Sequence, residues 1–255
     1  MVRIIPCLLM KDGLLVKGIK FKDHKYIGDP INAVRIFNNK EVDEIIFLDI
    51  GASINNTIPK FKLIEDIADE CYVPFTVGGG IKSLVHIQKI LYSGAEKICL
   101  NTAAIEKNSI IKEASKHFGS QAIIVCIDIK KDCKGEYVIY SHCGTRRVDN
   151  RLIDYIRLIE DMGAGEIMIN SIHKDGTKEG FDIELLGVLS NMVEIPIIGL
   201  AGASKIGDFE IAVRKTNVSA LSAGSFFVFH GRRDAVLIQY PSKEKLKNVY
   251  NESPK

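Results

Sequence analysis

Eight short apolar runs recur along the chain, and they constrain its fold more than any other feature of the sequence. The runs are too uniformly apolar to alternate between two faces, which is typical of strands buried on both sides of a parallel sheet. Amphipathic stretches that read as helices separate most of them. In chain order the runs are RIIPCLLM, EIIFLDI, PFTVGG, KICLN, AIIVCIDI, EIMINSI, IPIIGLAG and VSALSAGS.

Eight buried strands alternating with helices over 255 residues predict an α/β chain that folds as a single (β/α)8 TIM barrel. A doubly wound sheet is the alternative, but no Gly-x-Gly-x-x-Gly motif follows the first run. The chain also repeats, because residues 73–83 match residues 195–205 and residues 44–50 match residues 166–172. We therefore expect one domain over 1–255 with half-barrels at about 1–120 and 121–240, and a polar tail at 241–255 that frays after one or two helical turns.

Composition excludes several classes of function. The 34 basic and 32 acidic residues nearly balance, so nothing indicates a nucleic-acid or membrane partner. The six cysteines form no Cys-x-x-Cys pair and lie mostly in apolar runs, which predicts buried, reduced thiols. No signal-peptide pattern and no apolar run near 18 residues is present, so we expect a cytoplasmic protein. The histidines show no metal-ligand spacing, and neither a metal nor a cofactor is implied.

Four segments of small residues, three of which contain glycine, follow predicted strands. They are GGGIKS at 78–83, NTAA at 101–104, AGAS at 201–204 and AGS at 223–225. Glycine allows backbone N–H groups to approach an oxyanion, and the carboxyl ends of barrel strands form the active-site face. Since the segments are distributed between both halves, they predict two phosphate sites. The alternative is that they are tight turns without a ligand.

One acidic residue and one apolar residue occupy mirror positions in the two halves. Asp128 ends the fifth predicted strand, where it could act as a general acid or base, cap a helix, or pair with a neighbouring lysine. Leu9 stands at the corresponding place on the first strand, and an isobutyl group cannot transfer a proton. Asp12 is a poor substitute, because Asp-Gly indicates a turn.

Charged residues begin four of the predicted strands, at the other end of the barrel. If they point inward they must pair with one another, since an unpaired buried charge is costly. Such a ring of two cations and two anions would gate the barrel axis, whereas side chains facing solvent would have no such role. The four residues are Arg3, Glu44, Lys97 and Glu166.

The chain resembles the cyclase subunit of imidazole glycerol phosphate synthase over residues 1 to about 235. The matching phrases are RIIPCL, VKGIKF with GDP shortly after, FLDI, VGGGI, FGSQ, CIDIK, GAGEI and DGTKEGFD. That family is a (β/α)8 barrel that takes ammonia from a glutaminase subunit and closes an imidazole ring on a bisphosphorylated ribulosyl substrate. Two aspartates serve there as acid and base.

The resemblance implies roles for individual residues. The second aspartate corresponds to Asp128, whereas the first corresponds to Leu9. The family's active-site lysine matches Lys17, and a further aspartate matches Asp49. The substrate phosphate positions match Gly80, Asn101, Thr102, Asp175, Gly176, Gly202, Gly224 and Ser225. The ammonia gate matches the ring of Arg3, Glu44, Lys97 and Glu166.

The departures from the family pattern lie on the chemistry face. Leu9 replaces the aspartate, Asn170 replaces a threonine, and Leu200–Ala201 replaces Ser-Gly. The C-terminal stretch FVFHGRRDAVLIQYPSK is similar to a paralogue of surface-polysaccharide loci, which supplies ammonia to an N-acetyl sugar amidotransferase. The resemblance therefore implies a glutaminase partner, a phosphorylated small-molecule ligand and impaired cyclase chemistry. A genuine cyclase of histidine biosynthesis is the alternative, and a stand-alone isomerase of the sister type is a third.

Overall fold

The structure, a computed structural model, describes residues 2–251. Within these residues the strands are β1 Arg3–Lys11, β2 Leu14–Ile19, β3 Lys22–Gly28, β4 Ile45–Asp49, β5 Phe75–Gly78, β6 Lys97–Leu100, β7 Ile123–Lys131, β8 Tyr137–Ser141, β9 Arg146–Val148, β10 Glu166–Ser171, β11 Ile197–Leu200, β12 Ala220–Ala223, β13 Phe229–His230 and β14 Ala235–Val236. The α-helices are α1 Pro30–Asn39, α2 Phe61–Glu70, α3 Leu84–Tyr92, α4 Thr102–Glu106, α5 Ser109–Phe118, α6 Leu152–Asp161, α7 Ile183–Leu189, α8 Ile206–Lys215, α9 Ser225–Val228 and α10 Lys243–Asn251. A short 3-10 helix spans Ser120–Ala122.

Eight parallel strands of the described chain close into a barrel, in the order β1, β4, β5, β6, β7, β10, β11 and β12. Parallel pairing of β12 with β1 completes the ring. Each predicted apolar run contains one of these strands, so the (β/α)8 prediction is confirmed. The strands could be predicted because each is covered on both faces, so its sequence is apolar throughout rather than alternating with polar residues.

A β-hairpin interrupts each half at the same place, directly after its first strand. Antiparallel β2 and β3 follow β1, and antiparallel β8 and β9 follow β7. The stretch KGEYVIYSH after the fifth predicted strand indicates the second hairpin from the sequence alone. The first is missed because its outer strand, Lys22–Gly28, is mostly exposed and charged, and so carries no buried alternation.

Two apolar layers hold the barrel together. The larger layer lies between the strands and the surrounding helices. The smaller layer fills the barrel interior and includes Ile5, Ile46 and Met168. Three thiols, Cys7, Cys99 and Cys126, belong to this interior layer, and all six cysteines are free. Burial is confirmed for these three, whereas Cys133 is exposed on the β7–β8 connection.

The C-terminal segment is part of the packed fold. Helix α10 inserts Leu246 and Val249, which are fully buried, and the Tyr240 hydroxyl donates a hydrogen bond of 2.9 Å to the Ile4 carbonyl. The tail forms a packed helix of nine residues as far as residue 251. Residues 252–255, the rest of the predicted tail, lie outside the described residues. In the part of the chain that is described, no helix has the length and apolar character to cross a membrane.

Candidate functional site at the barrel mouth

A cavity of about 430 Å³ opens at the carboxyl ends of the barrel strands, a size within the range of small-molecule sites. Its walls come from the first half of the chain, from the turn between β8 and β9, and from the ends of β7 and β10. Leu9 and Leu48 form an apolar wall, and Asp128 and Asn170 lie on the other side. The topology places β1 and β7 four strands apart in either direction, so Leu9 and Asp128 face each other across the barrel.

Asp128 is the buried acid of this cavity, and two amides hold its carboxylate. Asn170 donates through Nδ2 to Oδ1 at 2.8 Å, and Asn101 donates through Nδ2 to Oδ2 at 3.3 Å. Burial raises the pKa of Asp128 to about 7, although the hydrogen bond from Asn170 opposes the shift. A carboxyl group that titrates near neutral pH can both give and take a proton, as a general acid or base requires.

Asp49 lines the same cavity, but its carboxylate also organises the adjacent loop. Oδ1 accepts backbone N–H bonds from Gly51 at 3.0 Å and Ala52 at 3.1 Å. Burial raises the pKa of Asp49 despite these two bonds. Glu106, the remaining acid in the described lining, stands at the rim within 3.6 Å of His142 Nε2. Neither residue lies on β1, the strand that faces Asp128 and carries Leu9.

Lys17 lies beside the cavity rather than in its lining. It projects from β2, is 4% exposed, and places Nζ 2.6 Å from Oδ1 of Asp175 and 3.0 Å from the Gly18 carbonyl oxygen. The structure thus brings Asp128 and Asp49 into one cavity, whereas Lys17 is held by Asp175. Asp175, predicted to bind phosphate, contributes its carboxylate to this ion pair.

The predicted phosphate positions of the first half-barrel and those of the second lie in different surroundings. Gly80, Asn101 and Thr102 line the cavity. The Thr102 hydroxyl accepts a hydrogen bond from the backbone N–H of His142 at 3.1 Å, which ties the second hairpin to the first-half loop. The second-half positions are not in the cavity lining and lie against other parts of the chain; they are Asp175, Gly176, Gly202, Gly224 and Ser225.

The four charges at the amino ends of the strands form a closed ring. Arg3 contacts Glu44 at 2.6 Å and also pairs with Glu166. Lys97 Nζ lies 2.6 Å from Glu166 and 3.3 Å from Glu44. Each cation therefore touches both anions. The Thr76 hydroxyl adds a hydrogen bond of 3.0 Å to Glu44. The four side chains point into the barrel, rather than into solvent, and neutralise one another there.

The pKa shifts of the charged groups in the ring agree with its ion pairs. Burial alone would raise the pKa of Glu166, but hydrogen bonds from Arg3 and Lys97 lower it below the ordinary value. Burial likewise opposes the charge on Arg3, and its bonds to the two glutamates raise its pKa. Both ions stay charged across the neutral range, so the ring is a polar plug at the end of an apolar barrel interior.

Sequence reasoning missed several residues around the cavity. Asn170 appears in the sequence only as a departure from the family pattern, yet it is the nearest partner of Asp128. Lys11, Lys82 and His142 also line the cavity. The position of Lys11 at the end of β1 was a usable signal, whereas His142 reaches the mouth only through the hairpin turn.

Comparisons with known proteins agree with this architecture. Residues 3–233 match the model of the family described as "Histidine biosynthesis protein". A Pseudomonas aeruginosa protein provisionally named imidazole glycerol phosphate synthase subunit hisF2 is 48% identical over 244 residues, covering 96% of this chain and 97% of that protein. A Leptospira interrogans protein, provisionally named imidazole glycerol phosphate synthase subunit HisF, is 43% identical, covering 95% and 96%.

The Staphylococcus carnosus imidazole glycerol phosphate synthase subunit HisF is 40% identical over 235 residues, covering 92% of each chain. The family match and these relatives span nearly the whole barrel, including the mouth and the ring. The chain therefore belongs to the histidine biosynthesis protein family, among the relatives of the HisF cyclase subunit of imidazole glycerol phosphate synthase.

Proposed function

We propose that this chain is a barrel subunit that receives ammonia from a glutaminase and passes it along its axis without closing an imidazole ring. The recipient would be an N-acetyl sugar amidotransferase of surface-glycan biosynthesis. The observation that carries the proposal is the pairing of features at the two ends of the barrel. The ring of Arg3, Glu44, Lys97 and Glu166 is complete, whereas the mouth presents Leu9 opposite Asp128.

The ring supports a role in controlling the entry of ammonia into the barrel. Its closed ion pairs block the axis, so passage requires at least one pair to separate, and a docked partner could supply that change. The interior beyond the ring is lined by apolar side chains and thiols such as Ile46, Cys99 and Cys126. Such a path suits neutral ammonia, because an ammonium ion would lose its hydration without gaining a partner.

The mouth supports a loss of cyclase chemistry. Acid–base catalysis at two opposed points of a substrate needs a proton-transferring group at each. Asp128 can serve at one point, but Leu9 offers only methyl groups at the other. Loss of one positioned acid or base commonly lowers a rate by about 10²- to 10⁴-fold. A delivery subunit tolerates this loss, whereas a biosynthetic cyclase does not.

A genuine cyclase of histidine biosynthesis is the second candidate, and a specific observation favours it. Asp128 retains a buried, hydrogen-bonded carboxyl group with a pKa of about 7, so half of the acid–base machinery is intact. The Staphylococcus carnosus relative carries the synthase name. Under this reading Asp128 works alone, or a water relay from Asp49 supplies the second proton transfer.

One experiment separates the candidates. The chain is co-purified with its glutaminase partner, and glutamine hydrolysis and imidazole glycerol phosphate are measured in one reaction that contains the bisphosphorylated ribulosyl substrate. Glutamine turnover stimulated by the barrel without imidazole product is the expected result. Imidazole product in proportion to the glutamine consumed would overturn the proposal in favour of the cyclase. We place this assembly in the cytoplasm, where the free thiols would stay reduced.

A further inference from the structure

The duplicated loops at the barrel mouth are no longer equivalent. The repeat aligns Gly78 and Gly79 with Leu200 and Ala201. A Cβ built on Gly79 would lie 2.2 Å from the Asp49 carbonyl oxygen, so the first-half loop must keep bare backbone there. Ala201 has a φ of 87°, a left-handed conformation that costs energy for a residue with a Cβ. The second-half loop therefore carries side chains where the first presents backbone alone.

The first hairpin covers the second-half loops. The methylenes of Lys17 pack on Gly224, where an added Cβ would lie 2.9 Å from Lys17 Cε. A Cβ added to Gly176 would lie 2.6 Å from the Gly18 carbonyl oxygen, and the Lys20 N–H donates to the Asp175 carbonyl at 2.9 Å. Since Asp175 neutralises Lys17, this buried cation is not free to meet a second phosphate.

The first-half side of the mouth is open and carries cations. Lys11, Lys82 and Lys107 line the cavity with the bare backbone of Gly79 and Gly80. In the described part of the chain Lys11 has no acidic partner, the Lys82 ammonium donates to the amide oxygen of Asn56, and Lys107 pairs with Glu113 at 3.8 Å. Burial lowers the pKa of His24, which also lines the cavity, and the charge of Lys11 lowers it further.

The remaining wall disfavours a second charged group. Leu9 and Leu48 are paired neighbours on β1 and β4, and facing them the Asp128 carboxyl would repel an anion whenever it is ionised. Asn170 and Asn101 add amide groups at the same depth. This part of the cavity suits an uncharged body that carries hydroxyl groups, since such groups can hydrogen-bond to carboxyl and amide oxygens.

We propose that this cavity binds a sugar phosphate with one phosphate and an uncharged, hydroxyl-bearing body, and that the second-half loops have lost phosphate binding. The phosphate lies at the first-half rim beside Lys11 and Lys82, and the body lies between Leu9 and Asp128. This inference rests on the proposed function, because a barrel that does not cyclise has no need of a bisphosphorylated substrate.

Calorimetric titration of the purified barrel, without glutaminase, tests the inference. The probes are ribose 5-phosphate, ribulose 1,5-bisphosphate, ribose and inorganic phosphate. We expect the two phosphate esters to bind within about threefold of each other and ribose to bind at least about tenfold more weakly. A bisphosphate that binds more than about tenfold tighter than the monophosphate would overturn the inference, since two linked contacts multiply affinity. So would the absence of binding by either ester at about 10 mM.

Variants locate the phosphate. Lys82→Met should weaken ribose 5-phosphate binding by about tenfold, as expected for a charged hydrogen bond, whereas Lys112→Met on exposed α5 is the matched control. Ser225→Ala should leave ribulose 1,5-bisphosphate affinity within about twofold; a larger loss would show that the second-half loop still binds phosphate. Circular dichroism confirms that each variant is folded. The titrations involve no ammonia, so their failure would leave the conduit intact, whereas imidazole formation would refute the conduit whatever the titrations show.

Discussion

Leu9 and Leu48 lie side by side on neighbouring parallel strands, and together they form the apolar wall that faces Asp128 across the barrel mouth. This contact gives position 9 a packed apolar neighbour on β4. It also makes position 9 the place where the proposed loss of cyclase chemistry can be reversed.

Leu9→Asp should restore imidazole formation. A carboxylate opposite Asp128 would supply the missing proton transfer, so the rate should rise by about 10²-fold or more. The measurement is imidazole glycerol phosphate formation by the barrel alone, with an ammonium salt as the nitrogen source. Leu9→Asn is the matched control, since it is polar but cannot transfer a proton. Equal rates for the two variants would show that position 9 is not what limits the chemistry.

Asp128→Asn should change how stability depends on pH. Burial raises the pKa of Asp128 from 3.8 to about 7, so the folded chain holds a proton that the unfolded chain releases. The stability that this neutral acid contributes is present below about pH 4 and is lost as pH rises through about 7. Between those values the wild type should lose up to about 4 kcal/mol relative to Asp128→Asn. Urea unfolding at a series of pH values measures the difference, and a constant difference would contradict the raised pKa.

Lys97→Met should weaken the ring at the amino ends of the strands. The change leaves Glu44 and Glu166 with Arg3 as their shared cation, and we expect a loss of about 2–3 kcal/mol at pH 7. Because the pKa of Glu166 is lowered by its cations, its stabilising contribution is present above its ordinary pKa and lost on acidification. The gap between wild type and variant should therefore shrink as pH falls towards 4. Chemical denaturation at both pH values tests this, with Lys112→Met as control.

Leu246→Ala should destabilise the whole barrel although it lies in the C-terminal helix. Leu246 is fully buried against the barrel, and leucine truncation at such sites costs about 2–5 kcal/mol. Leu237→Ala removes the same atoms from a side chain that is 49% exposed, and should change the unfolding free energy by less than about 0.5 kcal/mol. Similar thermal shifts for both variants would mean that α10 is not part of the cooperative unit.

Whether a structural feature could be predicted from the sequence depends on how local its sequence signal is. The eight barrel strands are predicted correctly because burial on both faces makes a short run of sequence mostly apolar, as in Ile123–Lys131. Inward pairing of Arg3 with Glu44 could be stated only as a condition, since a strand start does not reveal which way its charge points. The ion pair between Lys17 and Asp175 spans 158 residues and has no local trace.

The candidate site shows the same division. Asp128 and the first-half loops could be identified from their positions at strand ends. The covering of the second-half loops could not, because it arises from the first hairpin folding over Gly176 and Gly224. Asn170 became meaningful only when parallel pairing of β7 with β10 placed it directly beside Asp128.

The contacts between β1 and the C-terminal part of the fold have a consequence for folding during synthesis. Ile5 and Ser222 share a hydrogen bond across 217 residues, and Ile4 meets Tyr240 across 236. A growing chain therefore exposes the first strand's open edge until β12 and Tyr240 have left the ribosome. Unpaired edges invite association with other chains. For this protein the interval before its C-terminal segment emerges is the period of greatest aggregation risk.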